Sequence, residues 1–326
     1  MSVVVVEQDL VTACGRGVDA CWQGLMTGQP MFSPVRRFST DPFQSRVAAL
    51  VPGLDPGADD SLVMQMLRPL LDSLAGKLPA QTLVILATTT GEADLLERNL
   101  LGGKEDENAG RWDRLLERIT TLLGGQEPGL MISAACASSS AAVAHGAMLI
   151  ASGQRESVLV VACDAVTEFV FSGFSALMAL DPDGARPFDR SRKGLTIGEA
   201  AGYVLLMSGE HARREGRPTC GEVAGWGMTC DAHHMTGSSR DGIPLASAIR
   251  TAMKKAGLEN TAPGSISAHG TGTVYNDAME MKAFRRALGE SPIPVYSLKG
   301  CIGHTMGTAG LADLSMALKS LKEKIA

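Results

Sequence analysis

The sequence predicts an α/β fold of two similar halves with buried strands and helices. Three observations point to the α/β class. Apolar runs without polar alternation, at residues 3–6, 82–87 and 157–163, read as strands buried on both faces. Segments with apolar residues at helical spacing lie between such runs. Glycine, 37 of 326 residues, gathers at the joins, where tight strand–helix turns need it. Alternating strands and helices predict a largely parallel sheet.

The elements follow in order. Residues 3–6 open a strand, closed by a Gly-containing turn at 14–17. A helix over 18–26 stops at Gly28. Residues 29–60, rich in Pro, Asp and Gly, read as loop with one strand near 46–51. Residues 62–74 have helical spacing, and 82–87 form a buried strand ending in Thr88-Thr-Thr-Gly91. Residues 100–109 are a polar connector. An amphipathic helix over 112–123 stops at Gly124-Gly125. Residues 130–132 form a strand, and a nearly all-apolar helix runs on to Ile150, the pattern of a buried helix. Strands at 157–163 and 203–207 flank a loop rich in Pro, Asp and Arg.

Residues 222–229 then repeat the strand and turn of residues 3–12. On this the chain divides into 1–217 and 218–326. The second half continues with a helix over 244–256, which has Pro at its first turn. A strand at 265–269, a helix at 277–288, a strand at 293–300 and a helix at 311–322 complete it.

Composition excludes several classes. A net charge of −5 and 4% aromatic residues give no nucleic-acid surface. No apolar run reaches membrane-spanning length, and residues 3–6 lack the basic flank of a signal peptide. The expected location is the cytoplasm. Seven cysteines without a C-x-x-C pair predict free thiols and no metal site.

Cys136 stands where the buried helix begins. A thiol there feels the positive end of the helix dipole, which favours the nucleophilic thiolate; a Cys among alanines is also common as inert packing. Two other strand ends carry reactive groups: His269 in Ala-His-Gly-Thr-Gly-Thr, and Lys299 with His304 in Lys-Gly-Cys-Ile-Gly-His. Sites in α/β folds gather at carboxyl ends of strands. One Cys with remote His residues is the pattern of a thiol nucleophile in acyl transfer.

Four linked motifs carry a resemblance. They are Ala134-Ala-Cys136-Ala-Ser-Ser139; Arg186-Pro-Phe-Asp-Arg190 with Gly198-Glu-Ala-Ala-Gly202; Ala268-His-Gly-Thr-Gly-Thr273 with Asn276-Asp277; and Lys299-Gly-Cys-Ile-Gly-His304 with Thr308-Ala-Gly310. From residue 3 onward the chain resembles the β-ketoacyl-acyl-carrier-protein synthases of the thiolase superfamily. Two histidines mark the elongating class.

The resemblance implies a thiolase-like fold of two pseudo-repeated βαβαβ halves with stacked sheets and buried helices. It implies decarboxylative Claisen condensation in fatty-acid or type II polyketide biosynthesis. Cys136 would carry the acyl chain, and His269 and His304 would stabilise charge on the malonyl thioester. Lys299 would support His304, paired with Glu199 or Asp277. Thr271 and Thr273 would bind the phosphopantetheine amides. No metal or organic cofactor is implied, since acyl carrier protein brings the substrate arm.

A homodimer, or a heterodimer with a ketosynthase-like subunit, is implied through an edge strand assigned to residues 157–163. Arg186, Arg190, Arg192, Lys193, Arg213, Arg214 and Arg217 are candidates for a carrier-protein dock. Met148, Met178, Met228, Met235 and Met306 are candidates for an acyl pocket, with core filling as the alternative.

The sequence departs from the family pattern. Family members continue through a loop and two strands with a Gly-Phe-Gly-Gly turn, a motif not found here, so the C-terminal strands are expected to be missing. The alternative function is a non-catalytic, chain-length-factor-like partner subunit, against which the retained Cys136 counts. A thiolase would carry a second, late Cys in a Gly-rich turn.

Overall fold

Strand β1 (Val3–Thr12) divides the core. Successive side chains point to opposite faces of a sheet. Val3 and Val5 join one buried cluster, Val4 and Val6 another. The computed structural model describes residues 1–103, 106–125, 127–234, 237–290 and 292–325.

After β1 come β2 (Gly15–Arg16), α1 (Val18–Met26), β3 (Ser33–Pro34), β4 (Val47–Ala48) and α2 (Leu62–Asp72). Then follow β5 (Leu83–Ala87), α3 (Ala93–Leu101), α4 (Trp112–Leu122), β6 (Leu130–Ile132) and α5 (Ser138–Ala151). Next are β7 (Ser157–Asp164), α6 (Glu168–Ala176), β8 (Ala200–Ser208), α7 (Gly209–Arg214) and β9 (Gly221–Glu222). The second half has α8 (Ile243–Lys255), β10 (Ile266–Ser267), α9 (Val274–Leu288), β11 (Val295–Tyr296), α10 (Lys299–Ile302), a 3-10 turn (Met306–Thr308) and α11 (Ala309–Glu323).

The main sheet has the order β2-β1-β8-β7-β5-β6, with β9 also on β1. It is mixed rather than largely parallel: β5 runs parallel to β6 and β7, while β8 is antiparallel to β7 and β1. An unbroken apolar run signals burial on both faces and says nothing of direction. The long excursion after β7 brings the chain back antiparallel. Strand β7 is therefore central and fully buried, and β6 is at the edge. Residues 157–163 cannot be the dimer edge expected from the sequence. The strand expected at 222–229 shrinks to β9, which lies on the first half's sheet. Strands β10 and β11 form a separate parallel pair.

One face of the sheet is covered by α2 and α4, through Leu62, Met66, Leu67, Leu70, Leu115 and Ile119. The other is covered by α5 and α11, through Ala142, Ala147, Ile150, Leu311 and Leu318. Behind α11 a further cluster joins α1 and α10. The α5–α11 contact is close: a Cβ at Gly310 would overlap Ser140 Oγ, and the Leu311 amide donates to Ser139 Oγ at 3.0 Å. The absence of a side chain at 310 lets the two helices meet at the head of α5, where Cys136 sits.

Glu199 fastens the loops around this core. Its fully buried carboxylate accepts from Arg37 Nη1 and Nη2 at 2.6 and 2.7 Å, from the Val51 amide at 2.8 Å and from the Val166 amide at 3.0 Å. Removing one partner of a buried ion pair strands the other charge. Arg37→Ala is expected to lower unfolding stability by about 3–5 kcal/mol in urea titration; a loss below about 1 kcal/mol would show that water replaces the guanidinium.

Candidate active site

The turn after β6 presents Cys136. Ala135 has φ 49°, a left-handed conformation that costs a non-glycine residue energy. Ser138 holds it there: its hydroxyl donates to the Ala135 carbonyl at 2.6 Å and accepts from the Ala134 amide at 2.9 Å. Helix α5 starts two residues beyond the thiol. Burial pushes the Cys136 thiol above its ordinary pKa, and the positive charge of Lys299 offsets only part of this. The resting group is a thiol. The thiolate expected from the helix terminus does not prevail over desolvation.

His304 is buried on a turn bridged to Ile197, its backbone bonded to Thr196 and Gly198. Its Nε2 lies 3.2 Å from Cys136 Sγ. Its Nδ1 accepts from the Met306 amide at 3.1 Å. A nitrogen that accepts carries no proton, so in the neutral ring the proton is on Nε2, aimed at the sulfur. Met306 itself has φ 51°, in the left-handed region.

The His269 ring stands nearly perpendicular to that of His304, centroids 5.2 Å apart. Glu280 holds the His269 turn, accepting from the amides of His269 at 2.7 Å and Gly270 at 2.6 Å. Gly270 takes φ 38°, and a Cβ there would meet Ser297 at 2.6 Å. Burial, then the Lys299 charge, holds both imidazoles below their ordinary pKa, His304 at about 3. Both are neutral N–H donors at physiological pH.

Lys299 is buried on α10, with Asp313 Oδ2 at 4.0 Å. The expected partners lie elsewhere. Glu199 belongs to Arg37, and Asp277 accepts from the amides of Phe188 (2.8 Å) and Gly272 (3.2 Å), with Arg192 Nε at 3.6 Å. Motif position brought Glu199 and Asp277 near the site, but the backbone donors and arginines they meet occupy them. Thr271 and Thr273 are bonded to each other, Oγ1 to Oγ1, at 2.9 Å.

Five participants escaped the sequence reading: Glu280, Asp313, the Met306 amide, Phe174 and Asp164. Phe174 on α6 lies edge-on to His304 at 6.2 Å. Asp164, fully buried at the end of β7, accepts from Thr88 Oγ1 (2.8 Å), the Thr89 (3.0 Å) and Thr90 (2.9 Å) amides and the Gly307 amide (2.7 Å). It thereby anchors the turn that carries Met306. The available signals were a Glu eleven residues after His269 and an acid among the apolar positions of α11.

Of the other candidates, Met306 is buried beside His304, while Met148, Met178 and Met228 are exposed; Met235 lies outside the described residues. Arg186, Arg192, Lys193, Arg214 and Arg217 are engaged with acids, whereas Arg190 is exposed. Among the described residues one group could hold a metal. Cys136, His269 and His304 offer a sulfur and two nitrogens within 4.8 Å of one another, a donor set suited to a thiophilic ion such as zinc. No helix there is long and apolar enough to cross a membrane.

Comparison with known proteins bears on this arrangement. The family model "Beta-ketoacyl synthase, N-terminal domain" matches residues 117–212, and "Beta-ketoacyl synthase, C-terminal domain" matches 220–326. The chain is 30% identical to 3-oxoacyl-[acyl-carrier-protein] synthase 2 of Vibrio cholerae, over 99% of its own length and 86% of the relative's. It is 29% identical to the tetracenomycin polyketide synthase ketoacyl synthase alpha subunit of Streptomyces glaucescens, over 95% of its length and 82% of the relative's. The solved ishigamide ketosynthase/chain length factor matches with a TM-score of 0.86 at 31% identity, covering 99% of this chain and 86% of that one.

The buried His304 imidazole gives the site a pH signature. An unfolded His titrates near 6.5, while folded His304 does so at about 3. Between those values the unfolded chain binds more protons, so this group's contribution to stability is lost as pH falls below about 6.5. Asp164 and Glu280, whose pKa values burial raises, act in the opposite sense. The difference between wild type and His304→Gln isolates the imidazole. The urea midpoint from pH 7 to 5 is expected to fall more in wild type than in the variant, and equal falls would contradict a desolvated neutral His304.

Proposed function

The chain belongs to the β-ketoacyl synthase family, and from that premise we propose that it catalyses decarboxylative Claisen condensation between an acyl thioester on Cys136 and malonyl-carrier protein. Its reaction class is that of a C–C bond-forming acyltransferase. The observation that carries the reading is the 3.2 Å approach of buried His304 Nε2 to half-buried Cys136 Sγ, with the His269 ring beside them.

In the first half-reaction the sulfur of Cys136 attacks the carrier-bound acyl carbonyl, the carbonyl–sulfur bond to the carrier breaks, and the Cys136 proton ends on the departing carrier sulfur. The Nε2–H of His304 lowers the cost of negative charge on that sulfur. In the second, malonyl thioester loses CO2, and the electron pair left on its α-carbon is delocalised onto the thioester oxygen. Neutral N–H donors from His304 and His269 meet that oxygen. Such fixed donors are most effective where water is excluded. The carbanion attacks the acyl carbonyl, the new C–C bond forms, and Cys136 leaves as thiolate.

Lys299 acts through its field, keeping both imidazoles unprotonated and easing thiolate formation. Thr271 and Thr273, which exchange a hydrogen bond with each other, would turn to the amides of the phosphopantetheine arm. That arm brings an activated thioester, so the reading calls for no metal or organic cofactor.

The acyl carrier protein is the partner this chemistry requires, and it also appears in the name of the Vibrio cholerae relative. For the second subunit, β6 is the place: it ends the sheet, with Leu130 and Met131 each 41% exposed. An unpaired edge can extend a sheet across two chains. The likeness to the ishigamide ketosynthase/chain length factor favours a second reading, a ketosynthase-like subunit working in a heterodimer.

Mass spectrometry after incubation with acyl-carrier protein tests the first half-reaction. An acyl adduct at Cys136, absent from Cys136→Ala, is expected; unmodified wild type would overturn the enzyme reading and leave the partner-subunit one. Replacing His304 by Ala is expected to slow CO2 release from malonyl-carrier protein by about 10²–10³, while Cys136 still acylates.

A further inference from the structure

Three of the seven thiols meet outside the active site. Cys14 lies on the turn between β1 and β2, Cys21 on α1 and Cys301 on α10. Cys21 and Cys301 belong to one buried cluster with Leu10, Leu298 and Met316, and half-buried Cys14 packs against it. Gly24, one turn after Cys21 on the same face of α1, makes room: a Cβ at 24 would overlap Cys14 Sγ. The neighbouring thiols push the Cys14 thiol below its ordinary pKa, and contact with Cys14, then burial, pushes those of Cys21 and Cys301 up.

The arrangement pairs one partly accessible sulfur with two buried thiols. Reactive cysteines combine low pKa with access, often beside a resolving Cys. Cys301 has a further property. It occupies the one-turn helix that begins at Lys299, three residues before His304. Its carbonyl accepts from the Met31 amide at 2.9 Å.

We infer that Cys14 and Cys301 form an oxidation site in which a hydroperoxide closes a disulfide, fastening the β1–β2 turn to the loop that carries Lys299 and His304. The Cys14 thiolate attacks the peroxide O–O bond; one oxygen stays on sulfur as sulfenic acid and the other leaves as water after taking a proton. Cys301 sulfur then attacks that sulfur, the S–S bond forms, and the hydroxyl departs as a second water with the Cys301 proton. Two thiols and one hydrogen peroxide give one disulfide and two waters. The linkage ties α10 to the opposite side of α11 from the pocket, so the oxidised and reduced chains differ in how Lys299 is held.

The test uses Cys136→Ala protein, which removes the pocket thiol from the chemistry and makes the result independent of the condensation reading. The protein is treated with stoichiometric hydrogen peroxide, and remaining thiols are alkylated. Non-reducing digestion is followed by mass spectrometry. The expected result is a linked pair of peptides containing Cys14 and Cys301, about 2 Da lighter than their sum, that separates on reduction. Adding Cys21→Ala is expected to leave that pair intact. A Cys14–Cys21 pair, links confined to exposed Cys220 and Cys230, or alkylation of Cys14 at its untreated level would each overturn the proposal.

Discussion

The amide of Met306 donates to Nδ1 of His304, and the character of the pocket follows from that bond. It places the ring proton on the nitrogen facing Cys136, so His304 meets the sulfur as a donor and not as a base. A donor is of use where negative charge develops, on a thiolate or an enolate oxygen. The bond is made by a left-handed Met306 on an anchored turn. Asp164 supplies the anchor through the Gly307 amide while gathering the Thr88–Thr90 segment. A buried carboxylate outside the pocket thus sets which atom of the imidazole holds hydrogen.

Three non-glycine residues with positive φ surround the site: Ala135 before the nucleophile, Phe188 bonded to Asp277, and Met306 after His304. Each is held by a specific partner, Ser138, Asp277 or His304 itself. Strained backbone persists where its surroundings over-determine it. Here the strain turns the chain sharply enough for side chains from three separate loops to converge within a few ångströms.

Much of this was legible in the sequence. The motifs carrying Cys136, His269, Lys299 and His304 identified the groups that meet, and periodicity located α1, α2, α4, α8, α9 and α11 closely. Helices α3 and α6 were not legible. Helix α6, Glu-Phe-Val-Phe-Ser-Gly-Phe-Ser-Ala, is rich in aromatic residues and contains Gly, which favour helix weakly; packing of Phe171 and capping by Thr167 sustain it. Strand direction was not legible, because burial on both faces erases the alternation that would reveal a sheet's sides. Nor was the company of Lys299. Asp313 comes within 4.0 Å of it through the folding of α11, whereas Glu199 and Asp277, nearer by motif, are claimed by arginines and backbone amides. The helix terminus, which favours thiolate, is visible in sequence; the burial that pushes the Cys136 thiol above its ordinary pKa is not.

The contact of α11 with the head of α5 also orders events in time. The seat of the nucleophile is built from residues near 138, yet it closes only when Gly310 comes against Ser140 and Leu311 reaches Ser139. On the ribosome these segments emerge more than half a chain apart. The reactive sulfur therefore spends most of synthesis in an unfinished pocket, without His304 or Lys299 beside it. It acquires its chemical character only once α11 is in place.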